Sequence, residues 1–201
     1  MVGASGAGKS TLLHILGALD RPTSGEVLLE GSAISKLSDR GLAELRSRRV
    51  GFVFQFHHLL PEFSALENVM LPRMVIGESK SGAERAARAV LEEVGLGERL
   101  HHRPAELSGG EQQRVAVARA LANEPAVVLA DEPSGNLDRE NARRLQDLLW
   151  SLRDARGRTF VIATHDASIA RRADRVLELA DGVVAAVAPG SIHDLSMGEK
   201  R

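Results

Sequence analysis

Apolar residues at Leu12, Leu13, Ile15, Leu16 and Leu19 share one side of a helix, so the spacing predicts a helix over residues 9–19 that stops before Pro22. Thr23-Ser24-Gly25 turns the chain into a strand expected at 26–30, and the run Val50-Gly51-Phe52-Val53-Phe54 predicts another, with Gln55 directly behind it. Helical patterns follow at 64–71, 82–94 and 109–122, the last basic and rich in alanine. Two uninterrupted β-branched runs, 126–130 and 159–163, suit parallel strands buried on both faces, and a long helix at about 140–156 separates them. Residues 175–179, the turn Asp181-Gly182 and residues 183–187 read as a closing hairpin. The polar tail begins at 188. No repeat or linker divides the chain, which predicts one α/β core with a helical insertion.

Composition narrows the chemistry. Forty-three per cent of the 201 residues are apolar, enough for a real core, which excludes wholesale disorder. Lys and Arg number 26 against 27 Asp and Glu, so the chain lacks the basic footprint of a dedicated nucleic-acid binder, and no nucleic acid is expected as partner. The absence of cysteine removes disulfides, thiolate metal sites and cysteine nucleophiles. No apolar stretch approaches the roughly 20 residues that span a bilayer. The apolar run 12–16 is short, contains His14 and lacks a small-residue cleavage site, so it is not read as a signal peptide.

Gly3-Ala4-Ser5-Gly6-Ala7-Gly8-Lys9-Ser10, with Thr11 behind it, matches the phosphate-loop pattern G-x-x-x-x-G-K-[ST]. Glycines let successive backbone N–H groups curl inward onto phosphate oxygens, and the helix starting at Lys9 aims its positive end at the same anion. Lys9 would neutralise the β- and γ-phosphates of ATP, and the Ser10 hydroxyl would take a Mg²⁺ position. A plain glycine turn is the alternative, yet this pattern arises by chance in about one chain in 150 of this length.

Val127-Val128-Leu129-Ala130 runs straight into Asp131-Glu132. Asp131 is placed to hold Mg²⁺ through water and Glu132 to polarise an attacking water, although alone the pair could be a solvated turn. Ser108 is a good N-cap, and Gly109-Gly110 leave backbone N–H groups accessible, which makes a second candidate anion site or an ordinary capped helix start. His165 follows the strand at 159–163, at the edge where α/β sheets bind ligands, and is read as a phosphate contact.

In this order, the phosphate loop, Gln55 after a strand, Leu107–Gln112, Asp131-Glu132, Ser134-Gly135-Asn136-Leu137-Asp138 and His165 resemble the ATP-binding cassette family of transport ATPases. The resemblance implies an α/β P-loop NTPase fold: a cassette domain over residues 1–187 with a helical subdomain at about 60–122, then a tail at 188–201. It implies a homodimer in which Ser108, Gly109 and Gly110 of one subunit meet the nucleotide of the other. Asp138 would lie at the seam, and Gln55 would link the Mg²⁺ site to integral membrane permease subunits. Residues 56–69, 12–17, 22–25 and 102–107 are further similar to the lipoprotein-releasing branch of the family, which works at the cytoplasmic face of the inner membrane. The macrolide-export and cell-division branches, and soluble cassette proteins, are the alternatives.

Such cassettes normally carry strands and an adenine-stacking aromatic residue ahead of the phosphate loop. Here only Met1-Val2 precede it, tyrosine is absent, and the single tryptophan, Trp150, lies far along the chain. Met1-Val2-Gly3 is therefore expected to be the end of a strand whose earlier part, with the adenine platform, is missing from this sequence.

Overall fold

The computed structural model describes residues 1–188. Strands β3 (Val50–Val53), β4 (Val127–Asp131) and β5 (Thr159–Ala163) form a parallel sheet in the order β3-β4-β5, with Val53 opposite Ala130 and Asp131 opposite Ala163. Their uninterrupted apolar runs serve two cores, as expected for a sheet covered on both sides. Val53, Val128 and Ala130 face the cluster built by α3 (Ala65–Val75), α4 (Lys80–Glu93), α5 (Gly109–Leu121) and α6 (Arg139–Arg156). Val50, Phe52, Val127 and Leu129 face α1 (Lys9–Leu16) through Leu13 and Leu16. At Gly51 the helix α5 comes so near that an added Cβ would lie 2.4 Å from the Ala120 carbonyl oxygen.

Met1 and Val2 are held as a strand is held. The Met1 nitrogen donates to the Ile162 carbonyl (2.6 Å), and Thr164 N–H donates to the Met1 carbonyl (3.0 Å). On the other side, Val2 exchanges bonds with Leu177 O and Leu179 N, both at 2.8 Å, and bridges Glu178 in parallel. The two residues thus lie between β5 and the hairpin of β6 (Val176–Ala180) and β7 (Val183–Val187), and Val2 is 1% exposed. The expected hairpin turn is present, with Asp181 at φ 49° and Gly182 at φ 77°, the positive angles a two-residue turn demands.

Several elements depart from the pattern. α1 ends three residues before Leu19, because Gly17 N–H closes onto the Leu13 carbonyl, Ala18 N–H closes onto the Ile15 carbonyl, and Ala18 turns to φ 56°. In place of a strand over 26–30 there is a small antiparallel pair, β1 (Leu28–Leu29) with β2 (Ser32–Ala33). α2 (Asp39–Arg49) was invisible in the hydrophobic pattern because it fully buries only Leu42; its signal is Ser38, whose hydroxyl caps Gly41 N–H. α3 continues past Leu71 with Pro72 inside it, where packing on α4 and α5 outweighs the proline penalty. A short helix, α7 (Ala167–Arg172), follows His165. The tail expected from 188 onward lies outside the described residues beyond Ala188.

Candidate nucleotide site

β3, β4, β5 and the Met1-Val2 pair all run the same way, so the segments leaving them emerge at one sheet edge. They carry Gln55, Asp131-Glu132, His165 and the phosphate loop respectively. The sheet therefore assembles four of the predicted features with no long connection, at the edge where parallel sheets take their ligands.

The loop leads into a helix that is left open. α2, α3, α4, α5, α6 and α7 are each capped by a side chain, from Ser38, Ser64, Ser79, Ser108, Asp138 and Asp166. α1 begins instead at Gly8, at φ 100°, with no side-chain cap and no acid in its first turn. Its orphan N–H groups and the positive end of its dipole are available to an anion. Lys9 is 9% exposed, and its Nζ donates to the carbonyls of Gly3 (2.8 Å) and Ala4 (2.9 Å), which leaves one of three ammonium hydrogens for a phosphate. Ala4, Ser5, Gly6, Ser10 and Thr11 are exposed at the rim, with Ala7 half-buried among them. This donor set fits a polyphosphate. Ser10, Asp131 and Gln55 offer the hard oxygen ligands that Mg²⁺ takes.

Glu132 stands at a sharp turn, at φ 45°, where its N–H completes the ladder to the Ala163 carbonyl (2.9 Å). One carboxylate oxygen accepts His165 N–H (3.0 Å) and meets His165 Nδ1 (2.8 Å); the other accepts the Thr164 hydroxyl (3.1 Å). The side chain of Glu132 is 18% accessible and that of His165 is 76%, so the acid is sheltered beneath an imidazole open to solvent. A cavity of ≈ 940 Å³ opens beside both residues and gives water room at the carboxylate.

Gln55 and Asn136 grip one another: Gln55 Nε2 donates to Asn136 Oδ1, and Asn136 Nδ2 donates to the Gln55 carbonyl, both at 3.0 Å. Asp138 caps α6, and the Asn141 backbone N–H followed by the Asn141 side-chain amide holds its carboxyl below the usual range. Ser108 is committed to a capping box, donating its hydroxyl to Glu111 (2.8 Å) and accepting from Glu111 N–H. Gly109 is exposed at that helix start and Gly110 is buried against Asn141. Among the described residues no hydrogen bond joins Ser108, Gly109 or Gly110 to the phosphate loop.

Sequence reasoning missed Thr164 as a holder of Glu132, and missed the Gln55–Asn136 pair although Asn136 lies inside a segment it singled out. Both pairings come from strand adjacency, which one residue's type cannot announce.

An uncapped helix behind a glycine loop, beside a strand that ends in an oriented carboxylate, defines a P-loop nucleotide-binding protein of the α/β class. Comparison with known proteins resolves the class further. The family model described as ABC transporter matches residues 1–135, and the chain belongs to that family. The "Lipoprotein-releasing system ATP-binding protein LolD" of Xanthomonas campestris pv. campestris (strain 8004) is 57% identical over 192 residues, covering 96% of this chain and 80% of the relative. The protein of that name from Syntrophotalea carbinolica is 58% identical over 182 residues, covering 90% and 80%. Among solved structures, the dimeric post-hydrolysis state of the ATP-binding cassette MJ0796 bound to ADP and Pi matches with a TM-score of 0.82 at 40% identity, over 93% of this chain and 84% of that one. The cassette fold expected from the sequence is the fold observed.

Proposed function

We propose that this chain is the ATP-hydrolysing subunit of an ABC complex that releases lipoproteins from the inner membrane. It works as a homodimer at the cytoplasmic face, seated on integral permease subunits of the LolC/LolE-like kind. Among the described residues no helix is long and apolar enough to cross a membrane, which accords with a peripheral subunit. The observation that carries the enzymatic reading is the single sheet edge that gathers the open α1 terminus, Lys9, Asp131 and the clamped Glu132.

Lys9 and the first N–H groups of α1 bind the β- and γ-phosphates of ATP, and the loop Gly3–Gly8 wraps them with backbone donors. Ser10, Asp131 and Gln55 would hold Mg²⁺, which would supply positive charge to balance that of the phosphates. Glu132 orients a water against the γ-phosphorus and takes its proton as the new O–P bond forms and the bond to the ADP oxygen breaks. Thr164 and His165 keep that carboxylate aimed, and the exposed His165 would also take a phosphate contact. Ser108, Gly109, Gly110 and Asp138 complete the site of the partner subunit.

Glu132→Gln keeps the shape and loses the base. We expect ATP binding to be retained while hydrolysis falls by at least about a hundredfold, the scale of general-base catalysis; normal turnover would sink the assignment. For the cargo, depletion of the protein in cells should leave outer-membrane lipoproteins in the inner membrane, and unaltered sorting would refute lipoprotein release.

A further inference from the structure

The helix α5 is bonded to the chain on both sides of Gln55. Gln113 is fully buried, at 0% exposure, and its Nε2 donates to two carbonyl oxygens, Pro133 at 2.7 Å and Phe54 at 3.2 Å. Phe54 immediately precedes Gln55, and Pro133 immediately follows Glu132. Further along the same helix, Arg119 donates to the His58 carbonyl (2.6 Å) and the His57 carbonyl (2.8 Å), which lie just beyond Gln55. The close approach of α5 to β3 at Gly51 leaves little room for the helix to shift on its own.

The chemistry of Gln113 is more than packing requires. Both hydrogens of its amide are spent, so the orientation of the group is fixed. Its Oε1 is buried with no hydrogen-bond partner, a loss that an apolar side chain of similar shape would not incur. What the amide achieves, and a leucine or methionine could not, is to tie the exits of two strands to one helix. The exits are those that present Gln55 and Glu132, and the helix is the one that opens at Ser108.

We propose that Gln113 is a positioning residue for hydrolysis, fixing Gln55 and Glu132 in register with each other and with the Ser108–Gly110 end of α5. The proposal rests on the reading of Glu132 as the base. A displacement of α5 then moves both groups together, and neither can drift from the other while the amide holds both carbonyls. Gln113 does not itself touch nucleotide.

The test compares the full chain with Gln113→Met and Gln113→Glu, using Mg-ATP titration, steady-state ATPase kinetics and thermal melting, with Glu132→Gln alongside. Gln113→Met keeps the volume and removes both bonds. Nucleotide affinity and KM should stay within about threefold of wild type while kcat falls tenfold or more. In Gln113→Glu, burial and the two facing carbonyls push the new carboxyl pKa up, so its protonated form keeps one donor. Its kcat should gain a step absent from the wild type, higher on the acid side and falling as the carboxyl ionises.

A Met variant with kcat within twofold of wild type, or one whose kcat and affinity fall together, overturns the proposal, as does a Glu variant without the new step. If Gln113→Met does not fold, the Glu variant decides. Failure of both to fold assigns Gln113 a purely structural role and also overturns it. Normal hydrolysis by Glu132→Gln would instead overturn the base assignment, whatever the Gln113 variants do.

Discussion

Lys9 is buried to the root of its ammonium and already satisfies two loop carbonyls, so its charge is held in place before any nucleotide arrives. Lys9→Met should therefore remove a charge-assisted bond and little packing. At about 1.5–3 kcal/mol for such a bond, nucleotide affinity should weaken by roughly ten- to more than a hundredfold, and melting without nucleotide should fall as well, because the Gly3 and Ala4 carbonyls lose their donor. Unaltered affinity in a titration would remove Lys9 from the phosphate site. The roles proposed for Lys9, Asp131 and Glu132 were legible because a glycine loop before Lys-Ser is rare by chance, and paired acids after an apolar run, ambiguous alone, take their meaning from it. The partners of Glu132 were not. Thr164 and His165 reach it only because β5 lies beside β4, and that order is a property of the folded sheet.

Among the elements, α5 shows how a helix start can titrate. The Ser108 backbone N–H, then its hydroxyl, hold the Glu111 carboxyl below the ordinary glutamate value. A depressed folded pKa means that this stabilisation is complete above the unfolded value of about 4.3 and is lost as pH falls through the lower folded value. Glutamine can fill the same capping box without titrating. Thermal melts of wild type and Glu111→Gln from about pH 6 down to about pH 3 should thus show the wild type losing ground on the acid side; a constant difference would count against the capping role. The other end of α5 is set by close approach. Gly51→Ala would drive a methyl into the Ala120 carbonyl, and the shift of α5 should cost about 1–3 kcal/mol in urea unfolding, as overpacking does. Element type was readable where apolar period was strong, as in α5, β4 and β5. It failed for α2, which buries too little to leave a stripe, and for the end of α3, where packing overrides Pro72.

At the scale of the whole molecule, the parallel sheet and closing hairpin followed from two β-branched runs and an Asp-Gly turn, whereas the strand order did not. Nothing in residues 50–54 says that β3 pairs with β4 and not with β5. On the proposed function, Ser108–Gly110 of one copy complete the nucleotide site of another. Glu132→Gln with ATP and Mg²⁺ should shift the protein from monomer to dimer in light scattering, and ADP should leave it monomeric. A dimer indifferent to nucleotide would contradict a sandwich built on the γ-phosphate.

The open start of α1 reaches beyond catalysis. Among the described residues six α-helices carry their own caps, and α1 is left for an anion in the loop to finish. Nucleotide is thereby a component of the fold as well as its fuel: at a concentration a hundred times Kd it adds about 2.7 kcal/mol to the stability of the occupied subunit. Subunits emptied of nucleotide would lose that contribution and would be the ones most open to proteolysis.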